Sequence, residues 1–160
     1  MSDPIVDSGN WPEAADDERK AEGEVIQAIE EVLIVARHVP PDKRDALWGG
    51  VQHLEARHIA WLEAKQRTSE AFEPMTSDRA ETEEEWRRYE AAVKVEWEAK
   101  DEVIAALHEA DRLAQYVPGV RRDALWNAVR TAHTRLVDWQ RLDRRTNEAM
   151  DIWGGWTRRP

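Results

Sequence analysis

The sequence predicts an all-α protein in which two tandem helical hairpins, related by an internal duplication, form an elongated up-down-up-down four-helix bundle. Three observations lead to this reading. Ala, Glu and Arg dominate the composition, whereas Gly and Pro number seven each and gather at a few junctions; this is a helical vocabulary. Apolar residues recur at alternating spacings of three and four. Finally, the chain repeats itself: residues 24–72 set against 102–150 without a gap are identical at 20 of 49 positions. The repeat includes the pentad Arg-Asp-Ala-Leu-Trp at 44–48 and again at 122–126. A period of 78 fits none of the common solenoid repeats, so the expectation is two copies of one unit.

The elements follow in order. Residues 1–9 read as a flexible tail. Asn10 is a candidate cap with Glu13 three residues on and Pro12 in the first turn. The first helix then runs to about His38, where Pro40-Pro41 stops it. Asp42 is a candidate cap for the second helix, with Asp45 in its first turn, and that helix ends before Pro74. The first hairpin is thus 10–76. In the second, 77–152, Asp78 with Glu81 reads as a capping box for a long third helix over 78–116. Pro118-Gly119 breaks it, and the fourth helix runs from about 121 to 152. Residues 153–160 are a C-terminal tail.

The stripes agree between the halves. The second helix offers Leu47, Val51, Leu54, His58, Trp61, Lys65, Thr68 and Phe72. The fourth offers Leu125, Val129, Ala132, Leu136, Trp139, Asp143, Thr146 and Met150 at the same places. Val25, Ile29, Val32, Ala36 and Val39 mark the first helix. Val103, Leu107, Ala110, Ala114 and Val117 mark the third, extended upstream by Trp86, Val93 and Trp97. A period near 3.5 predicts shallow, near-parallel crossings, and short connectors make neighbours antiparallel.

Several function classes recede on composition. There is no cysteine, hence no disulfide or thiolate site. No apolar run approaches the roughly 20 residues of a membrane span, and the first residues do not read as a secretory signal, so the expectation is a cytoplasmic protein without membrane association. No Gly-rich phosphate loop or nucleophile–base pairing is legible, so no enzyme and no cofactor is expected. The net charge of −10 disfavours direct nucleic-acid binding despite the arginines of the last helix.

What remains is a non-enzymatic interaction module that binds another protein as adaptor, inhibitor or regulator, with a homodimer as one form of that. Nine tryptophans supply candidate contacts: Trp48 and Trp126 beside the stripes, Trp153 and Trp156 around a Gly-Gly. An alternative is an acidic mimic of DNA, carried by Asp16 and Asp17 on the first helix and by Glu83, Glu84 and Glu85 on the third. Separately, Arg over Lys, 18 to 5, with abundant Ala suggests a GC-rich genome, such as that of a virus or mobile element. A further alternative is a ferritin-like metal bundle. Glu55 and His58 supply one Glu-x-x-His pair, but the matching positions hold His133 and Leu136, so the second pair is missing and no metal is expected.

Overall fold

The computed structural model describes residues 11–76, 81–116 and 123–154. Four helices account for nearly all of them: α1 (Trp11–Arg37), α2 (Ala46–Phe72), α3 (Glu83–Gln115) and α4 (Ala124–Gly154). Residues 1–10, 77–80, 117–122 and 155–160, and with them the expected N-terminal tail, the Asn10 cap and the Pro118-Gly119 break, lie outside the described residues; of the expected tail at 153–160, Trp153 and Gly154 continue α4 and the rest lies outside them. Single turns of 3-10 helix, Pro41–Lys43 and Glu73–Thr76, follow α1 and α2.

Two helix starts differ from the sequence expectation. Pro41–Lys43 forms the 3-10 turn, and α2 is capped by Asp45 rather than Asp42. The Asp45 carboxylate accepts the Trp48 main-chain N–H at 3.1 Å. Asp123 accepts that of Trp126 at 3.0 Å. The repeated pentad is therefore a cap and the first turn it closes. α3 starts at Glu83, because Thr82 and Glu85 form a reciprocal capping box. Glu81 precedes that helix, and Asp78 lies outside the described residues. The hydroxyl and carboxylate each satisfy an otherwise orphaned N–H, which a start further upstream would leave to compete. At 33 residues α3 is about 50 Å long.

The helices alternate in direction. Residue pairs such as Arg57 with Glu102 and Phe72 with Tyr89 run oppositely along α2 and α3. Ala36 with Trp48 and Glu22 with Lys65 do so along α1 and α2. The closest packing, however, is between the halves: α2 lies along α3 and α1 along α4, while α1–α2 and α3–α4 are the wider pairs. Small residues permit the close approach. A Cβ built on Gly50 would stand 3.9 Å from the Ala110 Cα and 2.7 Å from a Leu113 methyl.

The core is the expected one through its middle. Leu47, Val51, Leu54 and Trp61 of α2 are buried, as are Leu125, Val129, Leu136 and Trp139 of α4. Val25, Ile29 and Val32 from α1 and Val103 and Leu107 from α3 close it. Each full burial of such an aliphatic side chain contributes about 1.5–3 kcal/mol. At the centre Trp61 and Trp139 stack, with ring centroids 5.9 Å apart and planes inclined by 27°. Lys65 covers one ring at 5.4 Å and Lys100 the other at 5.2 Å.

The stripes fail toward one end. Phe72 and Trp86, read as stripe residues, are 47% and 42% exposed. The ends of α2 and α3 carry them past the packed layers, and a 3.6-residue helix drifts off a 3.5-residue seam over several turns.

His58 is the anomaly of the core. It is 2% exposed, and neither ring nitrogen has a hydrogen-bond partner. Burial pushes its pKa down, opposed by the Glu30 charge. The unfolded chain takes up a proton near pH 6.5 while the native ring stays neutral, so this group withdraws stability as pH falls below that value. The matching position in the second half is Leu136. His58→Leu is therefore expected to stabilise by about 1–3 kcal/mol in urea unfolding at pH 7. Its advantage over the parent should widen between pH 7 and pH 5; an advantage independent of pH would refute the account. Trp61→Ala is expected to cost about 3–5 kcal/mol in the same assay.

Candidate functional site

The tryptophans nominated from sequence turn out to be joints. Trp48 and Trp126 are half-buried. The Trp48 indole N–H donates to the Ala36 carbonyl at 3.2 Å, and the Trp126 indole N–H to the Ala114 carbonyl at 2.8 Å. Each ties the start of one helix to a carbonyl in the last turn of the preceding one. Guanidinium groups lie over both rings, Arg44 at 4.6 Å and Arg130 at 5.8 Å. The pair thus bridges the two wide seams, leaving part of each ring at the surface. Trp153 falls in the last turn of α4; Trp156 lies outside the described residues.

The nominated carboxylates are engaged locally. Glu83 pairs with Arg87 at 2.5 Å and Glu84 with Arg88 at 3.2 Å, both one turn along α3. Glu85 accepts the Thr82 N–H in the capping box. Asp16 is exposed and pairs with Arg19 at 3.2 Å, and Asp17 is exposed. Such pairs contribute about 0–1 kcal/mol each, yet they place arginines among the carboxylates. Glu55 is half-buried one turn from His58. Among the described residues no group of three or more His, Asp or Glu is arranged to hold a metal ion.

Two groupings were not foreseen from the sequence. The first joins three rings at the end of the α2–α3 pair. Phe72 meets Tyr89 with centroids 5.5 Å apart, and Tyr89 meets Trp86 at 5.9 Å. Met75 is buried beside this end of α2. The result is a contiguous aromatic surface on two rigid helices, flanked by Glu83, Glu84, Arg87 and Arg88. Its signal was present as two stripe positions at the far ends of their helices, where packing partners run out.

The second grouping fills the wide α3–α4 seam. Asp111 is buried, accepting from Arg130 at 2.7 Å and Gln115 at 3.1 Å. His133 Nδ1 stands 3.5 Å from Asp111 Oδ2, the oxygen that accepts from Gln115, and His133 Nε2 is 3.0 Å from His108 Nδ1. A proton on His133 Nδ1, the nitrogen nearer the carboxylate, leaves Nε2 to accept from His108. Burial holds the His133 pKa below its ordinary value, with His108 and Arg130 pushing the same way and Asp111 opposing. Nearer the middle of the seam a cleft of about 360 Å³ is lined by Lys100, Asp101 and Ile104 of α3 and by Trp139, Gln140, Asp143 and Arg144 of α4. The sequence gives no helical spacing that joins residues 108 and 133, because they lie on different helices; only the antiparallel register brings them level.

No helix among the described residues is long and apolar enough to cross a membrane. Comparison with protein-family models, curated proteins and solved structures gave no match.

The joint role of the pentads is open to test. Asp45→Ala and Asp123→Ala are each expected to destabilise by about 0.5–2 kcal/mol in chemical unfolding. Similar losses in the two halves support equivalent caps; a loss confined to one half would not.

Proposed function

We propose that this chain is a non-enzymatic interaction module that binds another protein, and that it does so through the aromatic surface of Phe72, Trp86 and Tyr89. The observation that carries the reading is the exposure of two large rings in contact with a third, whereas the other exposed large apolar side chains of these helices, Ile59 and Val95, are aliphatic and lie outside this cluster of rings. Contiguous apolar surface on a folded monomer marks a place where another surface docks. Trp and Tyr lose little conformational freedom on binding for the area they cover, and Trp and Tyr dominate the energetics of protein interfaces. Both helices are anchored in the core, so the surface is presented without an ordering cost. Adaptor, inhibitor and regulator all fit this mode.

Charge mimicry of nucleic acid draws less support, since Glu83 and Glu84 each hold an arginine one turn away. The two readings differ in their response to salt. A docking surface built on aromatic rings keeps its partner at moderate ionic strength, whereas a phosphate mimic loses affinity steeply.

Affinity capture from a lysate of the native host, at low and moderate salt, compares the parent with the Phe72→Ser/Trp86→Ser variant, folding being checked by circular dichroism. The parent is expected to retain a dominant partner at both salt concentrations, and the variant to lose at least 90% of it, as expected when two hot-spot residues at ~1.4 kcal/mol or more each are removed. Equal capture by the variant would remove the aromatic surface from the proposal. Capture of a second copy of this chain would identify the partner as itself.

A further inference from the structure

The two wide seams are built alike but furnished differently. His108, His133 and Asp111 occupy positions whose counterparts 78 residues earlier are Glu30, Glu55 and Leu33. Imidazoles thus meet in only one of the seams. There, His108 Nδ1 from α3 and His133 Nε2 from α4 stand 3.0 Å apart. Two imidazole nitrogens bound to one zinc ion at about 2.0–2.1 Å are separated by about 3 Å at a right-angled bite and about 3.4 Å at a tetrahedral one. The nitrogen separation is therefore within a few tenths of an ångström of that in a chelate, and turning the two rings so that both lone pairs aim at one point would complete it.

A second observation points the same way. Histidines that ligate metals characteristically direct their other ring nitrogen to a carboxylate, which fixes the tautomer and the ring plane. Asp111, with a side chain that is 5% exposed, places a carboxylate oxygen 3.5 Å from His133 Nδ1, in position to take that role once the ring is held by an ion. Its own position is set by Arg130 at 2.7 Å and Gln115 at 3.1 Å. His108 is exposed, so the outer side of the pair is open to solvent.

We propose that His108 and His133 form a two-imidazole site for a divalent transition-metal ion of the zinc and copper class, spanning α3 and α4, with Asp111 as the orienting carboxylate. Neutral imidazole suits these ions, whereas magnesium and calcium seek oxygen donors. The ion takes the place of the proton between the two rings. That proton moves to His108 Nε2, which faces water, and each ring stays neutral. The remaining coordination positions belong to water or to a donor brought by a partner. Arg130 shares the Asp111 carboxylate and moderates the negative charge offered to the ion, so the affinity is that of a chelating pair rather than of a closed four-ligand site.

The test uses chelator-treated full-length protein titrated with Zn²⁺ and Cu²⁺ at pH 7.5, followed by calorimetry and by the melting temperature, with the copper-loaded protein examined by electron paramagnetic resonance. One saturable equivalent is expected, with a rise in Tm and copper hyperfine structure from two ring nitrogens. His108→Ala and His133→Ala should each weaken binding at least tenfold and reduce the spectrum to one nitrogen. Asp111→Asn should weaken binding by about 10–100-fold while keeping both nitrogens. His38→Ala and His53→Ala should change neither. Because His108 is exposed, its alanine variant keeps the fold and decides the matter by itself. Unchanged affinity in that variant, or absence of saturable binding in the parent up to millimolar metal, overturns the proposal.

Discussion

The stack of Trp61 on Trp139 sets the cross-section of this bundle. The two rings come from diagonal helices, α2 and α4, and meet at the centre with centroids 5.9 Å apart. Indoles are the largest side chains available, so the diagonal on which they meet cannot be short. Gly50 and the alanines of α3 let α2 and α3 close up, and α1 closes similarly on α4. The remaining two sides of the bundle stay wide, and long side chains must span them. Trp48 and Trp126 do so at one end, donating to Ala36 and Ala114. The price of a packed centre is thus a pair of seams with room for polar groups.

Electrostatics follows the same plan. Arg57 reaches Glu102 at 2.9 Å across the α2–α3 side, and Arg135 faces Glu24 at 3.8 Å across the α1–α4 side. The two pairs are the same pair displaced by 78 residues in both partners. Each is exposed and weak, and their value lies in favouring one register for both close sides. The wide seams break the correspondence. From α2, Lys65 bridges Glu22 of α1 and Glu96 of α3, the latter with its pKa raised by burial. On the α3–α4 side stand Asp111, Arg130 and two histidines.

Much of the architecture was legible because it rests on local periodicity. The stripe from Leu47 to Trp61 and its counterpart from Leu125 to Trp139 fix which faces turn inward, and the prolines fix where α1 stops. The helix starts were less legible, since Asp42 and Asp45 are both competent caps by type. The choice depended on a 3-10 turn that no residue preference dictates. Which helices pack tightly was not legible at all, because α1 reads as equally suited to α2 and to α4. The candidate surfaces were missed for related reasons. Trp86 and Phe72 carry the core pattern beyond the place where the core ends, and a pattern does not report the length of its partner. His108 and His133 are unremarkable on their own helices and become a pair only through antiparallel register.

The close contact of α1 with α4 joins the first and fourth described helices. Around 110 residues separate Glu24 from Arg135. On a ribosome adding ~5–20 residues per second, α1 therefore waits several seconds for its main partner to be made. During that interval the face bearing Val25, Ile29 and Val32 has only the distant flank of α2 to shelter it, while α2 and α3 zip together across a short connection. Synthesis thus passes through a three-helix stage with an open apolar trough. The emergence of α4 closes it, so a chain truncated before α4 would present that trough to chaperones and to other nascent chains.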